Sequence, residues 1–195
     1  MSNFAGKTFI FLGISGSGKG IQTELLEKWL TGQGYSLLRV VLGDKGRQLA
    51  EKASLLGRWV NGILKRGGFF PSWLVFNLLL NTIDEELISP EQILIIDGGS
   101  RRLPEAKMID ELLQELGRSP AQPIYLEVSE DEARQRLTKR GRDDDQSPAA
   151  VNSRFDWFKK ETLLVLDYYG NRLIKINGQQ SIEAVHDAVK KAIGN

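Results

Sequence analysis

The chain has 195 residues, of which 41% are hydrophobic and 26% charged, and a formal net charge of +1. That size and balance suit one globular domain with a sizeable core, and so small a net charge offers no global field for nucleic acid or an anionic membrane. The absence of cysteine excludes disulfides, thiolate zinc sites and cysteine nucleophiles.

The first predicted element is a strand, "TFIFLG", from Thr8 to Gly13. A glycine-rich loop leads from it into a helix over Lys19 to Leu30, whose apolar residues are Ile21, Leu25, Leu26, Trp29 and Leu30. The apolar run before the loop is only a few residues long and has no basic flank. No stretch approaches the length of a membrane span, so a cytoplasmic location is expected. A second strand, "LLRVV", covers Leu37 to Val41. From Asp44 to Arg66 the chain reads as two short helices with no strand, an inserted helical unit. A long apolar helix follows from Ser72 to Ile88, then a third strand, "ILIID", from Ile93 to Asp97. Pro104 sits at a first-turn position of a helix running to Leu116. After the fourth strand, Pro123 to Val128, Ser129 and Glu132 have capping-box spacing at the start of a helix reaching Lys139. The charged stretch Lys139 to Pro148 reads as a short mobile loop. One helix is expected from Ser147 to Tyr169, a fifth strand from Arg172 to Ile176, and a closing helix from Ser181 to Ile193. Strands that are apolar nearly throughout and alternate with helices predict an α/β fold with a five-stranded parallel sheet, in one domain over residues 1–195.

The loop "GISGSGKGIQT", residues 13 to 23, carries the chemistry. Gly13, Gly18 and Lys19 fit the phosphate pattern G-x-x-x-x-G-K-[ST], in the strand-to-helix context that the pattern needs. Glycines let successive N–H groups converge on a phosphate, the helix N-terminus adds unpaired donors, and the lysine supplies a mobile charge. Gly20 stands where a hydroxyl usually meets Mg²⁺. A metal held through water needs only a nearby acid, and Asp97 ends its strand where such an acid belongs. The bland alternatives are a tight turn with an exposed lysine, and an Asp that caps a turn.

With these pieces assembled, the sequence resembles the adenylate kinase family of nucleoside monophosphate kinases. The family loop G-x-P-G-x-G-K-G-T-Q is matched by "GISGSGKGIQ", including the Gly after Lys; Ile21 replaces the family Thr. The family "TGD-x-x-R" corresponds to "LGDKGR", residues 42 to 47, "G-x-L-V-P" to "GGFFP", residues 67 to 71, and "DGFPR" to "DGGSR", residues 97 to 101. The lid-region arginines follow in order as Arg136, Arg140, Arg142 and Arg154, and "KING", Lys175 to Gly178, is similar to the segment lining the donor base. The resemblance covers nearly the whole chain.

It implies a three-layer α/β/α fold of the P-loop NTPase type, with a core of residues 1–42, 72–138 and 149–195. A monophosphate-binding insert would span 43–71 and a short lid 139–148, too short for a structural zinc site. Both segments are expected to move. It implies reversible phosphoryl transfer from MgATP to AMP, giving two ADP. ATP would be held by Gly16, Ser17, Gly18, Lys19, Gly20, Ile21 and Arg136. The monophosphate would lie against Leu42, Gly43, Arg47, Phe70, Gly98, Arg101 and Glu105. Lys19, Arg101, Arg140, Arg142 and Arg154 would serve the transferring phosphoryl, with Mg²⁺ held by Asp97 through water. The implied partners are these nucleotides, with no nucleic acid and no membrane, on a monomer.

Two alternatives stay open from sequence. Glu105 stands where the family places Gln, and a carboxylate suits the amino groups of guanine or cytosine, so GMP, CMP or UMP could replace AMP. Ile21 leaves room for a non-catalytic nucleotide-binding relative. Arg136 and Arg140 could instead form a solvated helix face with Glu132. The "DDD" run over residues 143–145 could pair with lid arginines. His186, the single histidine, is expected at the surface, and the tryptophans Trp29, Trp59, Trp73 and Trp157 in the core, Trp59 least securely.

Overall fold

Five parallel strands form the sheet: β1 (Thr8–Leu12), β2 (Leu37–Val41), β3 (Ile93–Asp97), β4 (Gln122–Glu127) and β5 (Ile174–Asn177), in the spatial order β2-β3-β1-β4-β5. The computed structural model describes residues 4–142, 145 and 147–194. Successive residues of a strand point to opposite faces, so each strand feeds two cores. Ile10, Leu12, Val40, Leu94 and Ile96 pack on one side, towards Leu79, Ile109, Phe155 and Val165. Phe9, Phe11, Ile93, Ile95 and Ile124 pack on the other, against Leu26, Leu30, Val185 and Val189. Each such side chain, when fully buried, stabilises the fold by about 1.5–3 kcal/mol. Burial on both faces is why these strands lack polar alternation.

The helices are α1 (Lys19–Gly32), α2 (Leu42–Glu51), α3 (Leu55–Lys65), α4 (Ser72–Glu86), α5 (Leu103–Glu115), α6 (Glu130–Arg140), α7 (Pro148–Trp157), α8 (Leu163–Tyr169) and α9 (Ile182–Gly194). Hydroxyl caps start several of them. Ser54, Ser129 and Ser147 accept from the backbone N–H of Gly57, Glu132 and Ala150. Helices α2 and α3 fill the predicted insert. Among the described residues no helix is long and apolar enough to cross a membrane.

Four expectations need correcting. The single helix from Ser147 to Tyr169 contains a π-turn at Phe158–Thr162, between α7 and α8. The fifth strand starts at Ile174, because Arg172 closes a short 3₁₀ turn and its guanidinium holds Asp110 at 2.6 Å. None of the four tryptophans is fully buried: Trp29 and Trp157 are half-buried, and Trp59 and Trp73 are 42% and 59% exposed. His186 is half-buried, not a surface residue, and its Nδ1 is buried without a hydrogen-bond partner among the described residues.

The strand order reverses direction at β1, which has β3 on one side and β4 on the other. In such sheets the crevice lies outside the carboxyl ends of the strands at this switch point. The loops after β1 and β3 both open there.

Candidate active site

The loop after β1 is shaped by three glycines with positive φ: Gly13 (146°), Gly16 (91°) and Gly18 (93°). At Gly16 the space is closed as well, since an added Cβ would stand 2.5 Å from the carbonyl oxygen of Ala133 on α6. Gly18 is the N-cap of α1 in the left-handed region and contributes no side-chain cap, leaving the first-turn N–H groups directed at the cleft. Lys19 folds back over the loop, donating to Gly13 O at 2.7 Å, Ile14 O at 3.0 Å and Ser17 Oγ at 3.3 Å. Burial pulls its ammonium down to about 8, against the opposing pull of Asp97.

Asp97 ends β3 and is buried. A Cβ added at Gly20 would lie 3.6 Å from Asp97 Oδ2, so the missing side chain leaves the space in front of the carboxylate open. After Asp97 the chain turns through Gly98, at φ 83°, to Arg101. Arg101 is braced from several sides. Its N–H donates to Glu105 Oε2 at 2.8 Å, and its carbonyl accepts from Thr162 Oγ1 at 3.1 Å. Its guanidinium lies 5.2 Å from the centre of the Phe69 ring. Phe69 stacks in turn on Trp157, with centroids 5.7 Å apart, and Arg102 covers Trp157 at 4.9 Å. Burial lowers the Arg101 pKa, with Asp97 and Glu105 opposing.

Glu105 is 2% exposed. Its Oε2 accepts the N–H groups of both Arg101 and Arg102, and its Oε1 accepts Ser72 Oγ at 3.2 Å. It therefore caps the start of α5 while forming part of a small pocket with Leu42, Gly43, Phe69, Phe70, Gly98 and Arg101. Burial raises its pKa, and the bonds from Arg101 work against that rise. Phe70 fits only because residue 46 is glycine: a Cβ there would lie 2.2 Å from the ring. Arg47 pairs with Asp44 one turn back and faces the same cleft.

On the far side, Arg136 bridges three segments, donating to Glu132 Oε1 at 2.7 Å, Gly178 O at 2.9 Å and, more weakly, Ser17 O at 3.5 Å. Arg140 grips Asp145 bidentately at 2.7 and 2.8 Å, and Arg154 reaches the same carboxylate at 2.8 Å. Burial alone would raise the Asp145 pKa; the two guanidinium groups, Arg140 first, outweigh it and hold the carboxyl below its ordinary value. The expected pairing of the acidic run is thus realised at Asp145, while Asp143 and Asp144 lie outside the described residues. Arg154 also donates to Ser15 Oγ at 3.3 Å, tying α7 to the phosphate loop.

Every residue expected to hold phosphate lines one continuous cleft of about 900 Å³: Gly16 to Ile21, Arg47, Asp97, Arg101, Arg136, Arg140, Arg142 and Arg154. Sequence reasoning missed the brace around Arg101. Thr162, Phe69 and Trp157 lie far from it in the chain, and the π-turn that carries Thr162 has no compositional mark. π-Turns of this kind tend to occur at functional sites.

A phosphate loop at the switch point of a parallel sheet, an acid at the next strand end and arginines on both flanks define a P-loop phosphotransferase. The family model described as adenylate kinase matches residues 11–174. The adenylate kinase of Parabacteroides distasonis is 30% identical over 191 residues, covering 95% of this chain and 97% of that protein. Adenylate kinase 1 of a Nostoc species is 30% identical over 188 residues, covering 95% and 98%. The adenylate kinase of a Synechococcus species is 31% identical over 184 residues, covering 91% of each. The chain belongs to the adenylate kinase family.

Proposed function

We propose that this enzyme transfers the γ-phosphoryl group of ATP to AMP, reversibly, giving two ADP. The observation that supports this most is the convergence of the phosphate loop, Lys19 and the six arginines named above on one cleft, with the small pocket of Leu42, Phe70 and Glu105 beside it.

In this reading Arg47 and Arg101 hold the acceptor phosphate, and its ionised oxygen attacks the γ-phosphorus. That bond forms as the bond to the β–γ bridging oxygen breaks, and ADP leaves. The nucleophile is already an anion, so no general base is needed. Lys19, Arg140, Arg142 and Arg154 face the oxygens on which charge builds; the planar guanidinium forks suit phosphate, and Lys19 adds a point charge. Asp145 holds two of these forks together, which sets their position and offsets part of their charge. Arg136, fixed between Ser17 and Gly178, lies where a donor base would stack.

The residues also fit Mg²⁺. Among the described residues no cluster of three or more carboxylates or histidines is present, and the open space between Gly20 and the buried Asp97 suits an ion that keeps its waters. Asp97 would hold it through water, and the ion would supply neutralisation of phosphate charge. Cytoplasmic location and action as a monomer complete the proposal, on the strength of the family and the short lid.

The acceptor pocket is the point to test. Glu105 has its Oε2 occupied by two backbone N–H groups, and Oε1 retains capacity to accept from a base amino group. Diphosphate formation should be measured with MgATP and AMP, GMP, CMP and UMP in turn. AMP should be the best acceptor. Turnover with GMP or CMP in preference to AMP would reassign the pocket, and no turnover with any acceptor would overturn the enzyme reading.

A further inference from the structure

We infer that the outer face of the helical insert is a docking surface for anionic lipid. Single exposed apolar side chains are common on any protein. Here they are contiguous: Trp59 on α3 stacks on Trp73 at the start of α4, with ring centroids 6.0 Å apart and planes 17° from parallel. Leu55 lies one turn before Trp59 and is 80% exposed, and Leu56 is exposed beside it.

At 100° per residue, Leu55, Trp59, Gly62 and Arg66 share one stripe of α3. Leu64, which lines the nucleotide cleft, projects from roughly the opposite side of the helix. The stripe therefore faces away from the substrates. Arg66 folds back along it, its guanidinium 3.3 Å from where a Cβ at Gly62 would stand.

Charge selects the occupant. Between Glu51 and Asp84 the sequence holds Lys52, Arg58, Lys65 and Arg66, and no carboxylate at all. The whole chain carries only +1, so this positive field is local to the insert. A second copy meeting the same face would set these four cations against their own equivalents, which disfavours it. A lipid surface needs no matching shape. Indoles settle at the headgroup level, leucines enter the acyl boundary, and lysines and arginines pair with headgroup phosphates while their stems lie along apolar surface.

The test is co-sedimentation of the full chain with phosphatidylcholine vesicles, with and without phosphatidylglycerol. Binding should require the anionic lipid, weaken in high salt as charges are screened, and shift tryptophan emission to the blue. The double variant Trp59→Ser/Trp73→Ser should lose about tenfold or more in vesicle affinity, with turnover in solution within about twofold of the parent. If that variant does not fold, Leu55→Ser reads the same surface from a largely exposed position. Absence of binding to anionic vesicles would overturn the inference, and so would undiminished binding by the variants. A concentration-dependent dimer in sedimentation velocity, lost in the variants, would reassign the face to a second copy.

Discussion

Lys19 spends its donors on two loop carbonyls and a serine hydroxyl, and burial draws its pKa to about 8. A polyphosphate in the cradle adds negative charge beside it and raises that value again. The sign follows: above pH 8 the free enzyme holds Lys19 largely neutral, so ATP binding takes up a proton, and affinity falls as pH rises through this value. Calorimetry of ATP binding in buffers of different ionisation enthalpy should show the uptake, and Lys19→Arg, charged throughout, should abolish it. Lys19→Met should lower kcat by about 10²–10³, measured at saturating substrates. Ile21 sits at the cleft edge, 48% exposed, so what it offers a phosphate is its backbone N–H. Ile21→Thr should leave the rate within about twofold, since it adds a hydroxyl at an exposed position and removes no donor. A larger gain would show that the hydroxyl does chemistry. At this scale the gathering of the loop, Asp97 and the arginines in one cleft was legible because the motifs that carry them have fixed local spacing. The second task of Glu105 was not: capping depends on where α5 starts relative to β3, and that is set by tertiary packing.

Elements were legible to the degree that one face of each meets a core. The inner strands β1, β3 and β4 read correctly because they are apolar on both faces, and the edge strands β2 and β5 because they stay largely apolar, while an end shifted where a side chain had a tertiary partner, as Arg172 has in Asp110. The π-turn at Phe158–Thr162 was illegible, since one extra residue in a helical turn leaves the apolar pattern nearly intact. Its effect is local and specific: it carries Thr162 to the Arg101 carbonyl. The tryptophans misled because size and hydrophobicity favour the core, whereas Trp59 and Trp73 pair with each other outside it. The end of the insert gives a direct test of how elements meet. Gly67 has φ 66°, and a Cβ there would lie 2.0 Å from the Ala150 carbonyl oxygen on α7. Backbone on both sides leaves nothing flexible to yield. Gly67→Ala should destabilise the fold by about 1–3 kcal/mol, seen as a lower Tm, and should raise the KM for AMP more than that for ATP, because it displaces Phe69 and Phe70.

For the molecule as a whole, charge averaged over the chain conceals its arrangement. The +1 net charge is compatible with a cleft rich in arginine, a stretch from Lys52 to Ile83 without carboxylates and compensating acids elsewhere. The same arrangement bears on motion. A site that transfers a phosphoryl group must exclude water, and we propose residues 43–71 and 139–148 as the segments that move to do so. Among the contacts of the insert with the rest of the protein are Gly67 on Ala150 and the stack of Phe69 on Trp157, which also carries Arg101. We predict that this stack is the latch of the insert: it holds the insert against α7, and in doing so it sets Arg101 over the acceptor phosphate. Labels on Ala53 and Glu115, followed by distance measurements in solution, should report a broad distribution for the free enzyme and a narrow, shorter one with a two-substrate analogue. Phe69→Leu keeps an apolar contact but loses the ring. It should broaden the free distribution further and raise the KM for AMP several-fold, leaving that for ATP unchanged. Identical distributions with and without the analogue would mean that the insert is a fixed wall, and that the aromatic stack serves stability alone.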